Sequence, residues 1–140
     1  IFLLFNFSLF KFPRLFLGDS GSMLLGFTVA FILIYLANEK KIEPILLAFS
    51  ISIFVYEFLS INLIRLIKKK HLFTAGQDHL HHIIYDKYKS IILTNLIIFA
   101  LNIIFFIFGY LSFKLINSLL SLILFLLLFF IYFSVRKKYA

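Results

Sequence analysis

The chain has 140 residues, of which 63% are hydrophobic and only 14% charged, with a mean hydropathy of +1.07. A soluble domain is roughly half apolar and about a quarter charged, so this composition excludes a water-soluble globule. The absence of cysteine excludes disulfides and thiolate metal sites. A net charge of +8 raises the question of nucleic acid, but in so apolar a chain cations mark membrane ends and meet anionic headgroups, and no nucleic-acid partner is expected.

A helix needs roughly 20 apolar residues to cross a hydrocarbon core about 30 Å thick. Taken in chain order, Ile1–Phe10 is too short to span and reads as the tail of an earlier helix. Apolar stretches at Ser22–Asn38, Ile45–Ile67, Ile91–Phe113 and Leu115–Val135 are each expected to span. Pro44 suits the first turn of the second, and a short bend at Lys114 separates the last two. The expected fold is an all-α multi-pass transmembrane helix bundle, with residues 1–140 forming one integral membrane domain. The start at Ile1 and the single methionine, Met23, are read as marking the C-terminal part of a longer protein.

With the connectors alternating sides, one face holds Lys11, Arg14, Arg65, Lys68, Lys69, Lys70, Lys87, Lys89, Arg136, Lys137 and Lys138. The other holds only Lys40, Lys41 and Lys114. The cation-rich side is cytoplasmic by the positive-inside rule. Residues 11–21, the loop 68–90 and the C-terminus are therefore expected in the cytoplasm, and the protein in the inner (plasma) membrane.

Three groups of residues could carry chemistry, and all lie on or near that face. Gly18-Asp19-Ser20-Gly21-Ser22 precedes a span. Its glycines permit a tight turn, and Ser20 or Ser22 can cap the following helix. Asp19 offers a hard oxygen ligand for Mg²⁺ beside a helix start that favours phosphate. Spacing alone leans toward plain capping. His79-Leu80-His81-His82 holds all but one of the four histidines. If helical, His79 and His82 share a face and His81 points elsewhere. Donors to a diphosphate suit this cluster at least as well as zinc, which needs three or four ligands. Glu57 lies inside the span Ile45–Ile67. An acid at membrane depth is costly and faces a cavity or pairs with an Asn, Tyr or Arg of another helix. Asn95 and Asn102 read as helix–helix hydrogen bonders.

Together these residues resemble the polyprenyl-phosphate N-acetylhexosamine-1-phosphate transferases, the superfamily that includes phospho-N-acetylmuramoyl-pentapeptide transferase. The matching pieces are Leu4-Phe5-Asn6-Phe7, Phe16 to Ser22 with Leu25-Gly26-Phe27, and Phe73-Thr74-Ala75 leading to His79-Leu80-His81-His82. The resemblance implies transfer of a sugar-1-phosphate from a UDP-sugar to polyprenyl phosphate, with release of UMP, for cell-envelope polysaccharide or peptidoglycan precursors. It implies Mg²⁺, or Mn²⁺, held by Asp19, and catalytic roles for Asp19, His79, His81 and His82. It further implies substrate contacts from Gly18, Ser20, Gly21, Ser22 and Glu57. A homodimer is left open. The chain departs from the family pattern at Gly76-Gln77, where Asp-Arg is usual, and at Glu57, where Asp is usual. The segment between Asn6 and Gly18 is also longer than usual. These departures motivate a second reading, a membrane scaffold that has lost catalysis. A transporter, with Glu57 and the histidines as an ion path, is a third.

Overall fold

The computed structural model describes residues 17–39, 41–71 and 79–138. The motif pieces at Leu4–Phe7, Phe16 and Phe73–Ala75, and the departure at Gly76-Gln77, lie outside them. The described residues form helices and turns with no strand, as the long apolar stretches predict. Two compact units divide the chain, Ile1–Lys41 and Ile42–Ala140.

In the first unit, α1 runs from Gly18 to Asn38. Its 21 residues rise about 32 Å, the thickness of a hydrocarbon core. No residue of α1 is buried, and Met23, Phe27 and Phe31 are all more than half exposed. Water would not tolerate such a surface, whereas lipid tails do. Thr28, polar in this setting, returns its hydroxyl proton to the Leu24 carbonyl at 2.8 Å, which satisfies it within the helix.

The second unit holds α2 (Pro44–Ser50), α3 (Ser52–Ile67), α4 (Leu80–Tyr88), α5 (Ile91–Leu115) and α6 (Ser118–Lys137). Pro44 occupies the start of α2 as expected. Helices α1, α5 and α6 are each long and apolar enough to cross a membrane. The stretch Ile45–Ile67, expected as one span, breaks at Ile51 and bends by 71°. It is either a broken span or a re-entrant pair. No proline or glycine causes the break. Ser50 turns its hydroxyl onto the Leu47 carbonyl at 2.7 Å, and Asn102 of α5 takes up the backbone groups the break exposes. Its amide nitrogen donates to the Ser50 carbonyl at 2.8 Å, and its oxygen accepts from the Ile53 N–H at 3.3 Å. Irregular backbone inside a membrane protein needs such a partner. Asn102 thus does bond between helices, while Asn95 is exposed on α5.

The core lies where α2 and α3 meet the α5–α6 hairpin. Phe49 and Tyr56 are fully buried. Phe49 presses on α5 at Gly109, where an added Cβ would stand 2.2 Å from its ring. Phe125 meets Phe49 edge-on with centroids 5.1 Å apart. Tyr56 sits among Phe105, Phe125, Phe129 and Tyr132, and its hydroxyl donates to the Phe125 carbonyl at 2.7 Å. Aromatic pairs of this kind add about 0.5–1.5 kcal/mol each beyond area burial. Near the hairpin turn, the buried hydroxyls of Ser112 and Ser121 bond at 2.9 Å, and these small residues let α5 and α6 approach closely. The turn itself falls at Ile116-Asn117 rather than Lys114, because α5 continues to Leu115 and the Asn117 side chain caps α6 by accepting from the Leu120 N–H at 2.8 Å.

Candidate active site

The glycine–serine motif is not a loop before a helix; it is the first turn of α1. Gly18 opens the helix at φ +68°, a left-handed value that a side chain disfavours. The helix therefore begins ahead of the serines, and neither Ser20 nor Ser22 caps it. The N-cap position falls on Leu17, which makes no side-chain capping bond. Ser22 instead donates to the Asp19 carbonyl at 2.8 Å. Gly21 gives room to Leu17, whose Cγ would lie 2.7 Å from an added Cβ. Asp19 is left exposed in the first turn, where unpaired N–H groups and the helix dipole make the field positive.

The histidine segment is ordered by α4. His79 has extended backbone, φ −76° and ψ 149°, just outside the helix, while His81 and His82 lie in its first turn. The expected arrangement, with His79 and His82 together and His81 apart, is therefore corrected. Helical spacing does not apply to a residue that is not helical. His81 stands in the middle instead, stacked on His79 with centroids 5.6 Å apart and against His82 at 4.2 Å. Partial burial, then the neighbouring His82 and His79, hold the His81 imidazole below its ordinary pKa, against an opposing pull from Glu57. A neutral imidazole both donates and accepts hydrogen bonds. Beyond this cluster, Asp86 pairs with Lys89 at 2.9 Å in an exposed position. Its carboxyl is held below the usual range by that hydrogen bond first and by the Lys89 charge second.

Glu57 is not isolated within a span. Its Oε1 accepts the Leu80 N–H at 2.5 Å, and its Oε2 accepts the Tyr132 hydroxyl at 2.5 Å. The Arg136 guanidinium grips both oxygens, Nε to Oε2 and Nη2 to Oε1, each at 3.1 Å. Arg136 is 3% exposed. Because Tyr132 and Arg136 occupy the end of α6 and Leu80 opens α4, Glu57 lies level with helix ends rather than at mid-depth. The pairing with a Tyr and an Arg is the kind expected for an intramembrane acid. The sequence marks Arg136 itself only as a topology cation. The missed signal was its spacing from Tyr132, four residues on one face of a helix that is otherwise almost wholly apolar.

Beside α4, an apolar groove of about 440 Å³ runs between α4, α5 and α6. Ile84, Leu101, Phe105 and Leu128 line it, with Lys87 and Arg136 among its polar members. Among the described residues, no group of three or more His, Asp or Glu is placed to hold a metal ion. A magnesium ion does not require one. It is usually bound through one or two carboxylates and substrate phosphates, keeping several waters, and the exposed Asp19 fits one such ligand.

These features define an integral membrane helical protein whose ionisable side chains gather at helix ends. Over 125 residues, 85% of this chain, it is 32% identical to the undecaprenyl-phosphate alpha-N-acetylglucosaminyl 1-phosphate transferase of Escherichia coli (strain K12). The protein of that name from Shigella flexneri gives the same figures. The one from Yersinia pestis is 34% identical over 73 residues, 51% of this chain and 20% of its own. The chain spans about a third of the length of the Escherichia coli and Shigella flexneri relatives, 34% of each. No family model and no solved structure matches it. The chain is thus related to the polyprenyl-phosphate hexosamine-1-phosphate transferases, as its motifs imply.

Proposed function

We propose that this chain forms part of a membrane transferase that moves an N-acetylhexosamine-1-phosphate from a UDP-sugar to a polyprenyl phosphate such as undecaprenyl phosphate. An oxygen of the lipid phosphate forms a bond to the sugar-bearing phosphorus, the bond from that phosphorus to the UMP oxygen breaks, and UMP leaves. The carrying observation is the run of three imidazoles in ring contact at the start of α4. The relatives' names supply the substrate class.

The chemistry divides among this chain's own residues. His79, His81 and His82 offer N–H donors to the diphosphate or the sugar, and a neutral His81 does so without adding charge. The N–H groups in the first turn of α1, with Gly18, Ser20, Gly21 and Ser22 around them, suit a phosphate oxygen. Asp19 would hold Mg²⁺ or Mn²⁺, which when bound screens the repulsion between two phosphate anions. The groove beside α4 offers apolar walls to a lipid chain, and Lys87 offers it a cation. The cytoplasm is the proposed side for both motifs, supported by the cation bias; for the histidine motif, the meeting of the α4 start with the cation-bearing α6 end around Glu57 agrees with it.

The test is UMP release by the membrane-embedded full-length protein, given polyprenyl phosphate and a panel of UDP-sugars. Release that depends on the lipid and on one donor sugar is expected. Intact membrane insertion and lipid binding without UMP release from any donor would replace this reading with that of a scaffold.

A further inference from the structure

The first N–H groups of a helix have no partner within it. In α4 the residue in the capping position, His79, supplies no side-chain bond. The Leu80 N–H is taken by Glu57 of α3 instead, so the helix is capped from another segment of the chain. A carboxylate suits that place because the helix dipole is positive there. Leu80 is flanked in sequence by His79 on one side and by His81 and His82 on the other. The point at which α4 is held is thus the point from which all three imidazoles branch.

Glu57 is itself held. One carboxylate oxygen serves Leu80 and Arg136, the other Tyr132 and Arg136. A guanidinium fork fixes the plane of a carboxylate as well as its position, which a lysine cannot do. The Tyr132 ring packs on the buried Tyr56, one residue before Glu57, with centroids 5.9 Å apart. The base of this arrangement therefore belongs to the aromatic core, and its tip is the Leu80 amide.

We propose that Tyr132 and Arg136 of the last helix, acting through Glu57, are positioning residues that set where His79, His81 and His82 sit for the transfer. Both line the groove beside α4, but in this scheme they act on the transfer through Glu57 and not on the reacting phosphates. The proposal rests on the transferase reading above, and it gives the last helix, which carries no motif, a part in the site.

The experiment uses the full-length protein in lipid nanodiscs, with Tyr132→Phe, Arg136→Lys and Arg136→Met. Tyr132→Phe keeps the ring and removes only the hydroxyl, so it folds even if the arginine variants do not. Two quantities are read on each sample: kcat and KM for both substrates, and hydrogen exchange at the Leu80 amide. Each variant is expected to lower kcat about tenfold or more, the size of one charge-assisted hydrogen bond. Exchange at Leu80 should rise by a similar factor. Arg136→Lys should fail to restore either, because charge without the fork does not fix the carboxylate. A fall in kcat with Leu80 still protected would overturn the proposal, since the residues would then act on substrate directly. Faster exchange with unchanged kcat would overturn it equally. A wild-type protein that transfers no sugar phosphate refutes the transferase reading, while Leu80 exchange in the variants still decides whether the clasp holds α4.

Discussion

Asp19→Asn separates a structural from a chemical role more cleanly than any other single change. The carboxylate is exposed, and the helix that begins at Gly18 has no side-chain cap for it to supply. The turn around it is tied by the Ser22 hydroxyl on the Asp19 backbone carbonyl at 2.8 Å, a bond that asparagine leaves intact. What asparagine removes is the negative charge near the helix start, worth about 0.3–1 kcal/mol. Stability should therefore fall by less than about 1 kcal/mol, and the melting temperature in detergent should barely move. If Asp19 holds the divalent cation, its loss removes the group that places a charge on the reacting phosphates. Losses for such preorganised electrostatic groups run about 10²–10³ in kcat. The assay is UMP release across a series of Mg²⁺ concentrations, with melting read on the same preparations. Turnover is expected to fall by about two orders of magnitude or more, with slight recovery at high Mg²⁺. Wild-type turnover at low Mg²⁺ would refute the metal assignment. A large drop in melting temperature would show that Asp19 has a structural role its surroundings do not reveal.

Three further outcomes follow from the geometry. Gly109→Ala drives a methyl into the Phe49 ring, 2.2 Å from an atom that needs ordinary contact distance, and should destabilise the second unit by about 1–3 kcal/mol; an unchanged melting temperature would contradict the close approach of α2 to α5. His81, held below its ordinary pKa, should stay neutral at pH 7 and take up its proton only below about 6.5. As pH falls through that range the unfolded chain binds the proton first, so His81 adds no pH dependence above about 6.5 and weakens the fold below it; ring ¹⁵N shifts showing His81 titrating above 6.5 would reverse the sign. A reporter fused after Ala140 should read out in the cytoplasm, and an outer-face signal would overturn the orientation.

How much was legible in advance differs from residue to residue. The spans α1, α5 and α6 were readable because a bilayer imposes length and apolarity on a helix, and both properties are local to the sequence. The break at Ile51 was not. The run Ser50-Ile51-Ser52 is only a weak helix breaker, and what makes the break tenable is an amide on α5, about fifty positions away in sequence. The apolar stretch expected to span begins at Ser22, four residues after the start of α1 at Gly18, because the positive φ of Gly18 is a choice the backbone makes and either Ser20 or Ser22 can serve as a cap.

For the candidate site, the sequence by itself determined the cast. The residues Asp19, Glu57, His79, His81 and His82 stand out because acids and histidines are few in so apolar a chain, and the glycine–serine and histidine motifs, in that order, carry the family resemblance. It also determined that Glu57 needs a cavity or a partner, since an unpaired acid in lipid is costly. Only the tertiary structure decided which partner. The choice of Arg136 and Tyr132 depends on how α3 and α6 pack around Tyr56, and the grip on Leu80 depends on where α4 returns to the bundle. The same packing put His81 at the centre of the imidazoles rather than apart from them, because extended backbone at His79 breaks the helical spacing by which the sequence was read. Hydropathy is a property of each segment and survives without its neighbours; the partners of a buried charge are set by the contacts between segments, and no segment encodes them alone.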